Sequence, residues 1–150
     1  MISGFYPALI VGQIAAMQSL MYISLGASLL LLNGLAGRPA TAVGLQHLLS
    51  KDAMSTAYPG GTIALAALFL NALPGSCFLC IVVERAKKCL DFTVTWCFLH
   101  VCCCTMYDGF PQSREWWGVA IANVACMSLL GEYLCMRREM REIPLFHSGR

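Results

Sequence analysis

The cysteines are the residues whose type and spacing first suggest chemistry. The chain has nine of them, and Cys77 and Cys80 have the C-x-x-C spacing of a zinc or redox pair. A second group, Cys102–Cys104, follows in a later apolar segment. The two groups fall toward opposite ends of successive apolar segments, so a four-ligand metal site is hard to assemble from them. We therefore expect no metal site and interpret the cysteines as packing residues of apolar helices.

His100 is the one histidine within an apolar segment. A haem held by two histidines would need a second. Its segment also carries a 4-3-4-3 spacing of polar and sulfur-containing side chains, which predicts one helix face turned toward a bundle interior: Thr93, Cys97, His100, Cys104 and Tyr107. The chain contains no nucleophile elbow, no glycine-rich phosphate loop and no paired carboxylate motif. We expect neither catalysis nor a cofactor.

Polar residues also gather near one end of the apolar segments. Gln13 and Glu132 each lie five residues, or about 7 Å, inside an apolar segment. Glu84 ends one neighbouring segment and Asp91 begins another. Ionisable groups within a membrane are costly and are candidates for function by default. The pattern predicts a polar recess beneath a basic rim.

Two of these carboxylates also have a purely structural interpretation. Glu132 could extend toward Arg137 or Arg138, and Asp91 could cap the helix that starts beside it. Both interpretations remain open from the sequence.

Composition limits the class of protein that carries these residues. Hydrophobic residues make up 58% of the chain and charged residues 12%, whereas soluble domains are about 25% charged. A soluble monomer with this deficit would expose large apolar patches. The net charge of +2 is too small to indicate binding to nucleic acid. A small polytopic membrane protein is expected.

Four apolar segments are long enough to cross the roughly 30 Å hydrocarbon core of a bilayer. The sequence predicts an all-α membrane protein, a bundle of four transmembrane helices that forms a single domain. The predicted spans are about 8–32, 62–83, 90–107 and 116–136. Residues 33–61 form the predicted lumenal loop, with a short helix at 43–49, and residues 137–150 form the predicted cytosolic tail.

Two spans carry features that predict local structure. Pro74 should kink the second span, and Asn71, one turn earlier, should help to satisfy the freed backbone groups. The first span is rich in small residues, which allow helices to approach closely, so it should face protein more than lipid and permits a homo-oligomer. These small residues are Gly12, Ala15, Ala16, Gly26 and Ala27.

The basic residues predict the orientation of the bundle. Four spans place both termini on one side of the membrane. That side would hold seven Lys and Arg residues and the other three. Since cytosolic loops carry an excess of Lys and Arg, both termini and the turn at 85–91 are predicted to be cytosolic.

Several stretches resemble the Sys family of Golgi integral membrane proteins. The two longest are Lys88–Thr95 (Lys-Cys-Leu-Asp-Phe-Thr-Val-Thr) and Gly131–Arg137 (Gly-Glu-Tyr-Leu-Cys-Met-Arg). Shorter matches occur in the same order: Gln13-Ile14, Met17-Gln18, Ser24-Leu25-Gly26, Phe69–Leu73, His100, Phe110-Pro111, Trp116-Trp117 and Glu142–Leu145.

The resemblance implies a four-span receptor of the trans-Golgi network with both termini in the cytosol. Its implied partner is an ARF-related small GTPase that arrives with an acetylated N-terminus. Once bound, this GTPase would promote recruitment of a second Arf-like GTPase and of golgin tethers. These proteins would support endosome-to-Golgi vesicle traffic. We hypothesise that the polar recess and its rim bind this partner, through Gln13, Asp91, Glu132, Lys87, Lys88 and Arg137.

Other functions and modifications stay open. A small transporter or channel component would need a polar path across the whole bilayer, and a thiol or metal enzyme would use the cysteines. Cys89 and Cys135 lie beside the membrane boundary, where palmitoylation occurs.

Overall fold

The computed structural model describes residues 6–39, 41, 43–50 and 54–142. In these ranges it is helical without strands, and four of its helical segments are long and apolar enough to cross a membrane. The predicted all-α bundle is confirmed. The helices are α1 (Pro7–Leu35), α2 (Leu45–Leu49), α3 (Gly61–Leu70), α4 (Ala72–Val82), α5 (Cys89–Asp108) and α6 (Arg114–Glu142), and a 3-10 turn spans Ala86–Lys88.

The second spanning segment consists of α3 and α4 in succession, and it lies between α1 and α6. Both α1 and α6 pack along it, α6 also packs against α5, and α1 touches α5 over a shorter stretch. The bundle is therefore a ring in the order α1, α3–α4, α6, α5. The predicted tail begins inside α6, since this helix continues to Glu142.

The face that α1 turns to the bundle differs from the prediction. Its buried residues are Met17, Met21, Leu25, Leu29 and Asn33. The small residues Gly12, Ala15, Ala16 and Ala27 are exposed, and a Cβ added at Gly26 would meet nothing within 4 Å. The prediction that the small residues face protein is wrong for this single chain.

The close approach comes instead from a glycine on α4. A Cβ at Gly75 would lie 2.9 Å from the sulfur of Met21 and 2.8 Å from that of Met127. The notch left by Gly75 accepts one methionine from α1 and one from α6. Since methionine is long and adaptable, it fills such a notch well.

The second span is interrupted at Asn71, three residues before Pro74. Proline lacks the N–H that the preceding turn needs, which explains a break here. Asn71 was predicted to satisfy the groups freed within its own helix. Its side chain instead joins α1, where it donates to the Met21 carbonyl at 3.2 Å and accepts from Ser24 Oγ at 2.5 Å. The last turn of α3 gains a partner from α6, because the side-chain amide of Asn123 donates to the carbonyl of Leu68.

The long connection between α1 and α3 is tied to the bundle by side chains. The carboxylate of Glu115 accepts from the backbone N–H of Thr56 at 2.9 Å and from its hydroxyl at 2.7 Å. Ser50 Oγ donates to Asp108 at 2.5 Å. Met54 is buried beneath the connection, and its sulfur accepts from the indole N–H of Trp116 at 3.1 Å. We call this part of the bundle the loop end.

Candidate functional site

The opposite end of the bundle contains the turn between α4 and α5 and the last turns of α6. We call it the basic end. Its cationic residues in the described part of the chain are all exposed: Arg85, Lys87, Lys88, Arg137, Arg138 and Arg141. The predicted partner-binding residues belong to this end, so its geometry decides which of them come together.

Two long side chains donate hydrogen bonds to backbone carbonyls at the end of α4. The last four carbonyls of a helix lack intrahelical partners, and within a bilayer each unsatisfied group costs several kcal/mol. The Val82 carbonyl accepts from the amide nitrogen of Gln13 on α1 at 2.9 Å. The Cys80 carbonyl accepts from the guanidinium of Arg138 on α6 at 3.1 Å. Gln13 therefore has a structural role, and its part in partner binding stays a prediction.

Glu84 has an unusual backbone conformation at the start of the turn. Its φ is +59°, in the left-handed region that favours glycine. Its N–H and that of Val83 both bond to the Leu79 carbonyl, the arrangement that ends many helices. The carboxylate of Glu84 then pairs with Arg138 at 3.2 Å. One arginine thus binds both the end of α4 and the residue that reverses the chain.

The rest of the turn is also fastened to α6. The backbone N–H of Ala86 donates to the carboxylate of Glu139 at 3.3 Å. Lys87 and Lys88, in the same turn, are exposed. The turn therefore holds its two lysines at a fixed place beside α6.

The two longest stretches that resemble the Sys family meet at this end. The thiols of Cys89 and Cys135 lie 3.6 Å apart, and both residues are buried. Gly131 lies one helical turn before Cys135, and a Cβ added there would be 2.8 Å from Leu79 Cδ1 and 3.6 Å from the sulfur of Cys89. The absence of a side chain at Gly131 lets α4, α5 and α6 approach one another.

The two predicted carboxylates occupy different positions around this contact. Glu132 is half-buried, about 60° around α6 from the inward-facing Cys135. Asp91 is exposed, about 200° around α5 from the inward-facing Cys89. Among the described residues, no hydrogen bond or ion pair joins Asp91, Glu132 and Gln13 to one another. The three side chains therefore share one end of the bundle but do not contact each other.

From the sequence, Asp91 could cap α5 and Glu132 could extend toward Arg137 or Arg138, and the structure bears on both interpretations. Lys88 occupies the N-cap position of α5, and no side chain caps that helix by a hydrogen bond. Asp91 lies in the first turn of α5, where a negative charge is favoured by the helix dipole, but the predicted capping bond is not formed. Arg138 pairs with Glu84, and among the ion pairs of the described residues none joins Arg138 to Glu132.

Arg137 lies between two shallow grooves on α6. One, of about 550 Å³, is lined by Tyr133, Met136, Arg137, Glu139 and Met140. The other, of about 360 Å³, is lined by Cys80, Leu134, Arg137, Arg138 and Arg141. The described lining of the first is largely apolar and includes Arg137 and Glu139, and that of the second is strongly basic. Sequence reasoning identified the arginines but not the grooves, which depend on where α4 and the turn end.

His100 forms the centre of a buried aromatic cluster. Its ring stacks between Trp96 and Trp116, with ring centroids 5.5 and 6.1 Å away. Its Nδ1 pairs with the hydroxyl of Tyr22 at 3.1 Å, and its Nε2 lies 3.7 Å from the thiol of Cys104. This arrangement explains the polar spacing of α5 as interior packing.

The interior orientation of that spacing is confirmed for most of its members. Thr93, His100 and Cys104 are buried and Cys97 is half-buried, whereas Tyr107 is exposed in the last turn of α5. In the part of the chain that the structure describes, no three side chains of metal-binding type converge.

The sequence matches the family described as SYS1, integral membrane protein S linking to the trans Golgi network, over residues 3–145. Two relatives are each named Protein SYS1 homolog. The one from Dictyostelium discoideum is 37% identical over 93% of this chain, and the one from Nematostella vectensis is 36% identical over the same share. The matched region covers 59% of the first relative and 87% of the second. No solved structure matches the chain.

Proposed function

The chain belongs to the SYS1 family of integral membrane proteins, and we propose that it is a receptor that recruits an ARF-related small GTPase to the Golgi membrane. The proposed partner carries an acetylated N-terminus, and a second Arf-like GTPase and golgins follow it. The basic end faces the cytosol in this proposal, as the distribution of Lys and Arg predicts.

One observation carries the proposal. The two stretches that most resemble the family, which include Cys89 and Cys135, pack against each other at the basic end. Their exposed or half-buried members, Asp91, Glu132 and Arg137, therefore lie at one end of the bundle, around a buried contact that fixes their positions. A partner that binds this end would meet residues of both stretches at once.

The surface chemistry of the basic end suits an acetylated, partly apolar N-terminus. Acetylation removes the positive charge of the amine and leaves an amide that donates and accepts hydrogen bonds. The groove along Tyr133, Met136 and Met140 offers apolar contact, and methionine surfaces adapt to different partners. Arg137, which also lines this groove, supplies a donor, and Glu132, one residue before Tyr133, supplies an acceptor at the same end of the bundle.

A protein receptor would also explain how the proposed partner is held at the membrane without a lipid anchor. Even a myristoyl chain alone gives only marginal binding to a bilayer. A peripheral GTPase without one needs a protein surface at the membrane, and the basic end provides one. The proposed role requires no catalysis by this chain.

The proposal is tested by removing the gene and following the ARF-related GTPase in cells. We expect the GTPase to leave the Golgi and to return when the wild-type chain is restored. A second measurement, the position of golgins, should follow the GTPase in both directions.

Retention of the GTPase on the Golgi after removal would overturn the proposal. The transporter alternative would then be the one to examine. Its polar path would have to pass the Asn71–Ser24 and His100–Tyr22 contacts, which join α3–α4 and α5 to α1.

A further inference from the structure

Apart from Arg137, the residues that line the strongly basic groove between the end of α4 and α6 have no role in the proposed recruitment. Among the described residues that line it, three are arginines, Arg137, Arg138 and Arg141, and the others are Leu134 and Cys80. Guanidinium groups bind phosphate through paired hydrogen bonds, so a cluster of three favours a phosphorylated ligand. The apolar residues at one side of the groove indicate that the ligand has an apolar part.

The depth of the groove identifies the layer of the membrane that it faces. The apolar segment of α6 begins at Trp116, and Arg137 lies 21 residues later, at about 32 Å along the helix. Arg141 lies at about 37 Å and Leu134 at about 27 Å. Since the hydrocarbon core is about 30 Å thick, Leu134 faces acyl chains while Arg137 and Arg141 face the headgroups.

The unpaired positive charges in the groove indicate how much negative charge the lipid headgroup carries. Arg138 is paired with Glu84. No ion pair joins Arg137 or Arg141 to a carboxylate within the described residues. Two positive charges therefore remain for a ligand. A phosphate monoester carries about −1.5 to −2 charges at pH 7, whereas the phosphodiester of an ordinary phospholipid carries one.

We propose that this groove binds a phospholipid with a phosphate monoester in its headgroup. Arg137 and Arg141 contact the monoester, and the proximal acyl chain lies along Leu134 and Cys80. Arg138 holds the groove together through Glu84 and the Cys80 carbonyl. The site lies beside the groove lined by Tyr133 and Met140 and does not require the GTPase.

The first experiment compares lipids on the wild-type protein. The full chain, purified in detergent, is titrated with phosphatidylinositol monophosphate and with phosphatidylinositol, and bound lipid is measured by native mass spectrometry. We expect the monophosphate to bind at least roughly tenfold more tightly, because its phosphate monoester adds charge-assisted hydrogen bonds that phosphatidylinositol, with its phosphodiester alone, does not offer. Equal binding of the two lipids would overturn the proposal, and this comparison needs no variant to fold.

A second arm separates a lipid from a free phosphate. Soluble inositol phosphate, added as a competitor, should displace the lipid only at much higher concentration, because it lacks the acyl contact with Leu134. Equal competition would show that the groove takes soluble phosphates and would contradict the membrane assignment.

Matched variants test the site itself. Arg141→Gln should weaken binding of the monophosphate roughly tenfold, and Arg137→Gln with Arg141→Gln more strongly. The control is Arg85→Gln, which removes one exposed charge from the same end of the bundle but outside the groove. It should change binding by less than about threefold. Equal losses in Arg141→Gln and Arg85→Gln would indicate general attraction to charge and would overturn the site.

Discussion

The thiol of Cys89 lies 3.6 Å from the thiol of Cys135, and both residues are buried. This contact joins the first turn of α5 to α6 at the basic end, where Gly131 allows the helices to approach. Because Cys89 and Cys135 face the interior, neither thiol is presented to the membrane surface where palmitoylation takes place. The contact is best explained as packing that sets the positions of the exposed neighbours, Asp91 and Arg137.

The importance of close packing at the basic end is tested by Gly131→Val. The new side chain would collide with Leu79 and approach Cys89, and such overpacking typically costs about 1–3 kcal/mol. We expect a lower midpoint of thermal unfolding in detergent. Gly118→Val is the matched control on the same helix, since a Cβ there meets nothing within 4 Å. Equal midpoints for the two variants would refute the packing role of Gly131.

The left-handed backbone of Glu84 predicts a difference between two substitutions. Glu84→Gly and Glu84→Ala both remove the ion pair with Arg138, but only glycine accepts a φ of +59° without steric cost. The glycine variant should be more stable by about 1 kcal/mol. Unfolding of both variants in the same detergent measures the difference. A glycine variant no more stable than the alanine variant would show that the backbone there is unstrained.

The loop end depends on the pairing of Glu115 with Thr56. Glu115→Ala removes both hydrogen bonds to Thr56, so the Thr56 amide should exchange its hydrogen several-fold faster. Arg114→Ala, one residue earlier and also exposed, serves as the control. Hydrogen–deuterium exchange with peptide mass analysis distinguishes them. Unchanged exchange in Glu115→Ala would mean that other contacts hold the connection.

The proposed partner surface is tested by Asp91→Ala combined with Glu132→Ala. Hydrogen bonds to charged groups contribute about 1.5–3 kcal/mol, so recruitment of the GTPase should fall at least about tenfold. The measurement is the fraction of GTPase on the Golgi in cells that lack the wild-type chain. The variant must itself reach the Golgi for the comparison to be valid.

The isosteric pair Asp91→Asn and Glu132→Gln separates charge from shape. It should give an intermediate loss, since the amides still accept hydrogen bonds. Full recruitment by the alanine variant in a correctly localised chain would remove these two residues from the proposed surface.

The sequence predicted the spanning helices because their signal is local. An uninterrupted apolar run, the break near Pro74 and the interior spacing of Thr93, Cys97, His100 and Cys104 can each be read within one helix. The contacts between helices could not be predicted from any one segment alone. Small residues on α1 resembled a packing face, yet the notch is at Gly75 on α4, and it is filled by Met21 and Met127.

The same distinction applies to the candidate site. The sequence placed the basic residues and Gln13, Asp91 and Glu132 at one end of the bundle, since charge and depth follow from position along a helix. It did not predict that Gln13 and Arg138 would satisfy the last carbonyls of α4. Those bonds depend on where α4 ends relative to α1 and α6. The hydrogen bonds between Thr56 and Glu115 at the loop end likewise join residues far apart in the sequence.

The most direct test of the receptor assignment is binding of the GTPase to the purified chain in lipid nanodiscs. The GTPase is prepared with an acetylated and with a free N-terminus. Each form is loaded either with GDP or with GTP. We predict that the acetylated form binds at least roughly tenfold more tightly, because burying an unpaired charged amine is costly. Equal binding of the two forms, or no binding of either in any nucleotide state, would contradict the assignment.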